Sequence, residues 1–250
     1  MRSLSKIDKN SNLVVGLIPA RWSSSRFEGK PLADIKGIPM IKRVYDRACL
    51  AKTLDTVVVL TDDERINSFC AKNEMRCIIG DDKCFTGTDR CARALDLIDG
   101  AIFVNIQGDE PLINPDAIDK LVETFEPAIG VSNAYVPISE EYKLYDSNVV
   151  KVVFDNNYNA VYYSRLPIPF EKKVQTQRYQ QLGLYAFSRH MLKLFSELPA
   201  SKIEKAESVE MLRFVEHGFN VKMVEVEDEG LSVDTPDDLK LIEIHLSEYN

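Results

Sequence analysis

Three cations and a run of hydroxyls share one short segment, PARWSSSRFEGKP, in which Arg21, Arg26 and Lys30 stand among Ser23, Ser24, Ser25 and Gly29. Arg offers forked donors and Lys a movable point charge, so this segment suits a polyphosphate; the competing reading is a solvated turn rich in Ser and Arg. It is not a Walker loop, because Lys30 is followed by Pro31 and no glycine stands at the required place before it. The dinucleotide pattern G-x-G-x-x-G is also absent. A second segment, Gln107-Gly108-Asp109-Glu110-Pro111, follows an apolar run. A carboxylate there could join substrate phosphates on Mg²⁺, or Asp109 could merely cap the next helix.

Asp62 and Asp63 after Leu60-Thr61, and Asp234 in SVDTPDD, are open to the same two readings. Glu204, Glu207 and Glu210 recur every three residues on one expected helix. Such a row is ordinarily a solvated face, although aligned carboxylates can also hold a polyol. His190, His217 and His245 have no metal spacing, and no G-x-S-x-G elbow or Cys/His constellation points to a hydrolase.

The elements that must position these residues alternate. Leu13 to Ile18 is a continuous apolar run of the kind buried on both faces of a parallel sheet. From Pro39, the residues Ile41, Val44, Tyr45 and Ala48 fall at helical spacing, and Thr56 to Leu60 is a β-branched run, which completes a βαβ unit. Further strands are expected at Cys77 to Ile79 and Ala101 to Ile106, with helices at Asp63 to Lys72 and Thr88 to Leu97. This order implies an α/β fold with an open, mostly parallel sheet whose ligands bind beyond the carboxyl ends of the strands. The three segments that follow predicted strands are PARWSSSRFEGKP, TDDE and QGDEP. From about 130 to 190 the texture is β-rich, as antiparallel strands extending the sheet or as a lobe available to a dimer interface. Helices return at Arg189 to Glu197 and Glu204 to His217, followed by a strand at Asn220 to Val226 and a last helix from Pro236 to Leu246, with Asp234 or Thr235 as its cap. Residues 1–12 read as a disordered leader and 13–250 as one domain.

With 31 basic and 39 acidic side chains the net charge is -8. That balance disfavours nucleic acid or an anionic membrane as the main partner, yet leaves room for a small anion in a local basic pocket. No stretch approaches the roughly 20 apolar residues of a membrane span, and MRSLSKIDKNSN lacks the apolar middle of a secretory signal, so a cytoplasmic location is expected. Cys70, Cys77, Cys84 and Cys91 recur every seven residues, but no continuous helix carries them and the spacing is far from zinc geometry. With Cys49 they read as structural thiols.

Taken in order, IPARWSSSRFEGKPL, GIPMIKRVYDRA, TDDERI, TGTDR, VNIQGDEPLI, NVVKVV, VYYSRLPIP, LGLYAF, AESVEMLR and VDTPDDL make the chain resemble the cytidylyltransferases that activate 3-deoxy-manno-octulosonate (KDO). These are the CMP-KDO synthetases of lipopolysaccharide and capsule biosynthesis, and the likeness runs collinearly from about Val14 to Leu241. The resemblance implies a Rossmann-like nucleotidyltransferase of glycosyltransferase-A type with a β-rich dimerisation and sugar-binding lobe. Such an enzyme, often a homodimer, joins CTP to the anomeric hydroxyl of an acidic eight-carbon sugar and releases pyrophosphate. By that likeness Arg21, Ser24, Arg26 and Lys30 hold the triphosphate, Arg90 and Gln107 line the cytidine side, and Asp109 and Asp234 ligate Mg²⁺. Arg165, Tyr185 and Glu210 face the sugar, Arg165 toward its carboxylate. Arg21 and Lys30 are the residues expected to stabilise developing charge, and the acceptor of the hydroxyl proton is left open.

The chain departs from the family pattern on the sugar side, with Gln181 where His is usual and Met211 where Gln is usual. Both exchanges alter hydrogen-bonding capacity, so a modified octulosonate, amino or deoxy, is an expected alternative to KDO. An NDP-sugar pyrophosphorylase acting on a sugar 1-phosphate, or a non-catalytic nucleotide-binding protein, are the competing functions.

Overall fold

The apolar run near the start of the chain forms β1 (Val14–Ala20), whose alternate residues enter cores on opposite faces: Val15 and Leu17 on one, Ile18 and Ala20 on the other. The structure, a computed structural model, describes residues 12–23, 27–80, 84, 86–227 and 230–248. After β1 come a 3-10 turn (Lys30–Leu32), the small hairpin β2 (Asp34–Ile35) and β3 (Ile38–Pro39), α1 (Met40–Ala48), β4 (Thr56–Thr61), α2 (Glu64–Lys72), β5 (Cys77–Ile79) and α3 (Gly87–Arg93). Next are β6 (Ile102–Ile106), α4 (Pro115–Glu123), β7 (Val131–Pro137), α5 (Glu141–Tyr145), β8 (Lys151–Phe154), β9 (Ala160–Ser164) and β10 (Tyr179–Ser188). The chain closes with α6 (Arg189–Glu197), α7 (Lys202–Glu207), α8 (Leu212–Glu216), β11 (Lys222–Glu225) and α9 (Pro236–Glu248).

The central sheet has the order β11-β7-β10-β6-β1-β4-β5 and is mostly parallel, since along this path β10 alone runs against its neighbours. Of the β-rich stretch, β7 and β10 are therefore central strands, and the β8–β9 hairpin is joined to the sheet through β10. One face is covered by a core that includes Phe103, Phe187, Phe195 and Phe214; the other includes Ile41, Val44, Ile66 and Ile118. A third, small cluster of Ile35, Met40, Val233 and Ile242 fastens α9 to the β2–β3 hairpin. No helix among the described residues is long and apolar enough to cross a membrane.

Two elements differ from expectation. The chain between β6 and β7 holds α4, capped by Asn114 with Pro115 in its first turn, a start signal present in the sequence but not used above. The helix expected from Glu204 to His217 is broken at Ser208, which takes left-handed angles (φ 53, ψ 49) and separates α7 from α8. Glu204, Glu207 and Glu210 thus share no common face.

The broken corner is held by Arg213, which is buried at 3% exposure. Its guanidinium donates to both oxygens of Glu204, to Asp89 Oδ1 at 3.0 Å and to the Phe195 carbonyl at 3.0 Å, and it lies 3.8 Å from the centre of the Phe195 ring. Asp89 in turn closes the capping box that starts α3 at Thr86. Removing one partner of a buried charge cluster leaves the others uncompensated, so Arg213→Met should lower unfolding stability by about 3–5 kcal/mol. Urea denaturation checks this; an unchanged midpoint would contradict the role given to the cluster.

Candidate active site

The chain runs from β1 out to β5 on one side and returns to β6 on the other, so β1 and β6 form the switch point at which an open α/β sheet splays its loops apart. There the carboxyl ends of both strands open into a cleft of about 850 Å³, lined on one side by Pro19, Ala20 and Arg21 and on the other by Gln107, Gly108 and Asp109. The two loops touch: a Cβ on Gly108 would lie 2.7 Å from the Pro19 carbonyl oxygen, a distance no side chain tolerates. Segments from α3, the α7–α8 corner and the chain before α9 complete the walls.

Lys30 lies in one wall of the cleft. Its Nζ donates to Asp109 Oδ2 at 2.6 Å and to the Val233 carbonyl at 2.7 Å, and lies 3.5 Å from Asp234 Oδ1. The Val233 amide donates to the Asp109 carbonyl at 2.9 Å, so the chain before α9 is laid directly against the QGD segment. At the start of α9 it is Asp238 that accepts the amides of Asp234 and Thr235. Thr235 stands directly before the helix, its hydroxyl also donating to Asp238, while Asp234 Oδ1 faces Lys30.

Across the cleft Arg90 is 93% buried and paired with Asp62, while its Nη1 is buried without a hydrogen-bond partner among the described residues. Asp62 therefore serves Arg90, and Asp63 is the cap of α2. Glu210 accepts the Gly87 amide at 3.3 Å and the Thr88 amide at 3.1 Å, and Thr88 Oγ1 accepts from the buried Asn105. Tyr185, buried on β10, donates to Gln181 Oε1 at 3.2 Å. Burial, and next the negative charge of Glu210, push the Tyr185 phenol upward.

Of the residues expected at the site, Arg21, Lys30, Arg90, Gln107, Asp109, Glu210 and Asp234 meet in this one cleft. Ser24 and Arg26 lie outside the described residues. Four do not line the cleft: Gln181 and Tyr185, hydrogen-bonded to each other on β10, Arg165 and Met211. Arg165 does not line the cleft: its guanidinium donates to the carbonyls of Glu207, Ser147 and Ser208, while Glu207 takes its amide and the buried Lys151 donates to its carbonyl. Met211 is fully buried in the aromatic core, because the turn after Ser208 sends Glu210 into the cleft and its successor inward. Arg213 and Asp62 were not assigned from sequence. A charge inside the apolar run VEMLRFV was the available signal for the first.

A family model described as Cytidylyltransferase matches residues 15–226. The chain belongs to the cytidylyltransferase family. It is 42% identical to the 8-amino-3,8-dideoxy-manno-octulosonate cytidylyltransferase of Shewanella halifaxensis, over 92% of this chain and 97% of that protein. It is also 42% identical to the mitochondrial 3-deoxy-manno-octulosonate cytidylyltransferase of Arabidopsis thaliana, over 99% of this chain and 88% of the other. Among solved structures it superposes on a CMP:2-keto-3-deoxy-manno-octonic acid synthetase complexed with CTP, with a TM-score of 0.90 and 35% identity, covering 95% of this chain and all of that one. The central sheet and cleft are thus those of a cytidylyltransferase, a Rossmann-like transferase fold.

In this cytidylyltransferase the Glu210 carboxyl is held above its ordinary 4.5, first by burial and also by the nearby Asp89, against the lowering effect of the Thr88 and Gly87 donors. A carboxyl raised in the native state contributes stability below its unfolded pKa and loses it as pH rises through the folded one. Glu210→Gln should therefore melt above the parent at about pH 8, with the gap closing toward about pH 4. Thermal melts across that range test the sign; a gap that widens on acidification would overturn it.

Proposed function

We propose that this chain transfers the CMP unit of CTP to the anomeric hydroxyl of 3-deoxy-manno-octulosonate or a closely related acidic octulosonate. The observation that carries this reading is Lys30 bridging Asp109 and Asp234 at the mouth of the switch-point cleft, opposite the buried Arg90. The sugar oxygen bonds to the α-phosphorus, the bond from that phosphorus to the bridging oxygen breaks, pyrophosphate departs with the electron pair, and the hydroxyl proton is released. Arg21 and Lys30 would stabilise the departing charge, Lys30 exchanging part of its hold on Asp109 for phosphate oxygens; Ser24 and Arg26 are assigned to the same triphosphate. Arg90 and Gln107 would fix the cytidine, while Glu210, with Tyr185 and Gln181 behind it, would meet the sugar.

The donor set suits Mg²⁺, which takes one or two carboxylates plus substrate phosphates rather than a full protein cage. Asp109 and Asp234 are carboxylates from separate segments, 28% and 35% exposed and converging on one cation. When bound, the metal would polarise phosphoryl oxygens. Free thiols at Cys49, Cys70, Cys77 and Cys91 suit a reducing, cytoplasmic setting. For the partner we infer a second copy of the chain: Tyr142, Leu166, Phe170 and Val174 are each exposed along the β-rich stretch, Phe170 at 88%.

Pyrophosphate release should be seen with CTP, Mg²⁺ and either KDO or its 8-amino analogue, and not with a sugar 1-phosphate; release only with the sugar phosphate would replace this reading by a pyrophosphorylase. Asp109→Ala and Asp234→Ala should each lose at least about 100-fold in kcat, and near-parental turnover in both at limiting Mg²⁺ would refute the metal assignment. Phe170→Glu should convert a dimer to a monomer in sedimentation; a parent that sediments as a monomer contradicts the partner.

A further inference from the structure

The residues between Arg21 and Lys30 must place two cations, one at each end, on the same wall of the cleft. Arg21 directly follows β1 and Lys30 opens a 3-10 turn, and contacts among the described residues tie these two ends together. Those contacts converge on Trp22, the sole tryptophan of the chain. Its carbonyl accepts the Gly29 amide at 3.0 Å, closing the segment next to Arg21 on one end and next to Lys30 on the other. Its ring lies on Gly29, where a Cβ would stand 2.9 Å from Cζ2 and where φ is +72, so only glycine lets the indole close down. Gly29 then starts the 3-10 turn in which Lys30 is first, and its carbonyl accepts the Leu32 amide at 2.9 Å.

The indole is held on its other sides as well. Nε1 donates to Glu28 Oε1 at 3.1 Å. The Arg65 guanidinium lies over the ring, 3.6 Å from its centre. Arg65 is itself locked by a forked pair to Asp63, Nε to Oδ1 at 2.9 Å and Nη2 to Oδ2 at 2.7 Å, and Asp63 caps α2. The loop is thereby tied to a helix that packs on the sheet, although Trp22 itself does not line the cleft.

We propose that Trp22 is a positioning residue for the nucleotide, clamped by Arg65, whose contact with Gly29 holds Arg21 and Lys30 in register before CTP arrives. This rests on the cytidylyltransferase reading given above. The benefit is preorganisation: ordering a cation-bearing loop in advance removes a cost otherwise met on binding. The effect falls on the nucleotide and not on the acceptor, because both ends of the loop carry triphosphate residues.

The test is calorimetric titration of CTP and Mg²⁺ without acceptor, together with steady-state pyrophosphate release. Trp22→Ala should weaken CTP binding by at least about tenfold while the acceptor KM moves less than about twofold, and Trp22→Phe, which keeps a ring on Gly29, should regain most of the affinity. Arg65→Gln, a substitution at an exposed position, should weaken CTP by about two- to fivefold and shift the emission of Trp22. The proposal is overturned if Trp22→Ala binds CTP within about twofold of the parent, if Trp22→Phe fails as badly as Trp22→Ala, or if CTP and acceptor weaken in parallel as general loss of structure would cause. A parent that binds no CTP would instead bring down the cytidylyltransferase reading itself.

Discussion

Two ionised carboxylates repel each other at a half-buried sheet edge unless a cation lies between them, and Lys30 meets that constraint. Asp109 lies in the segment after β6, Asp234 precedes α9, and Lys30 belongs to the turn after β1, so one ammonium draws three distant parts of the chain to one point. The consequences extend outward. For Lys30 also to reach the Val233 carbonyl, the chain before α9 must lie along the QGD segment, and α9 then has to close over Ile35 and Met40. On the other flank, the loops after β1 and β6 must touch, which leaves space for no side chain at position 108. An ammonium is well suited to this place because it is a compact charge on a flexible stem, able to bridge carboxylates in one state and to share itself with phosphate in another.

The opposite wall depends on a second arrangement of charge. Glu210 and Arg213 lie one helical turn apart, and both act on the start of α3: Glu210 takes the Gly87 and Thr88 amides on the cleft side, and Arg213 reaches Asp89 from behind. This geometry requires the left-handed break at Ser208, since a continuous helix would have kept Glu204, Glu207 and Glu210 on neighbouring positions of one face. Instead the three carboxylates divide their work. Glu204 neutralises Arg213, Glu207 receives Tyr162, Ser164 and the Arg165 amide, and Glu210 accepts the Gly87 and Thr88 amides at the cleft.

Much of this was legible in the sequence where local pattern and tertiary role coincide. β1, β4 and β6 read directly because strands buried on both faces of a parallel sheet are continuous apolar runs, and the loops that follow them had to hold the site. The break at Ser208 was not legible: the i, i+3 pattern runs through it unbroken, and a non-glycine left-handed residue leaves no compositional mark. Asp234 or Thr235 looked like a helix cap because the sequence context is one; that Asp238 gathers both their amides while Asp234 faces Lys30 depends on three-dimensional placement. Arg165 and Met211 were assigned by likeness of motif, and likeness of motif does not say which way a side chain turns once the corner beside it is bent.

The correction at Met211 narrows where acceptor preference can reside. The chain is equally close, at 42% identity, to a relative named for the 8-amino sugar and to one named for the unmodified octulosonate, so overall likeness does not separate the two. Of the exchanges that set this chain apart on the sugar side, which also include the replacement of an Arg around Phe170-Glu171-Lys172, Met211 has no exposed surface with which to touch a ligand and can act only by filling the core beneath Glu210. Gln181 is half-buried, and its Oε1 accepts the Tyr185 hydroxyl. A carbonyl oxygen has two lone pairs, so Gln181 keeps an acceptor site beside the donors of its amide, and this side chain does not by itself select a hydroxyl over an ammonium.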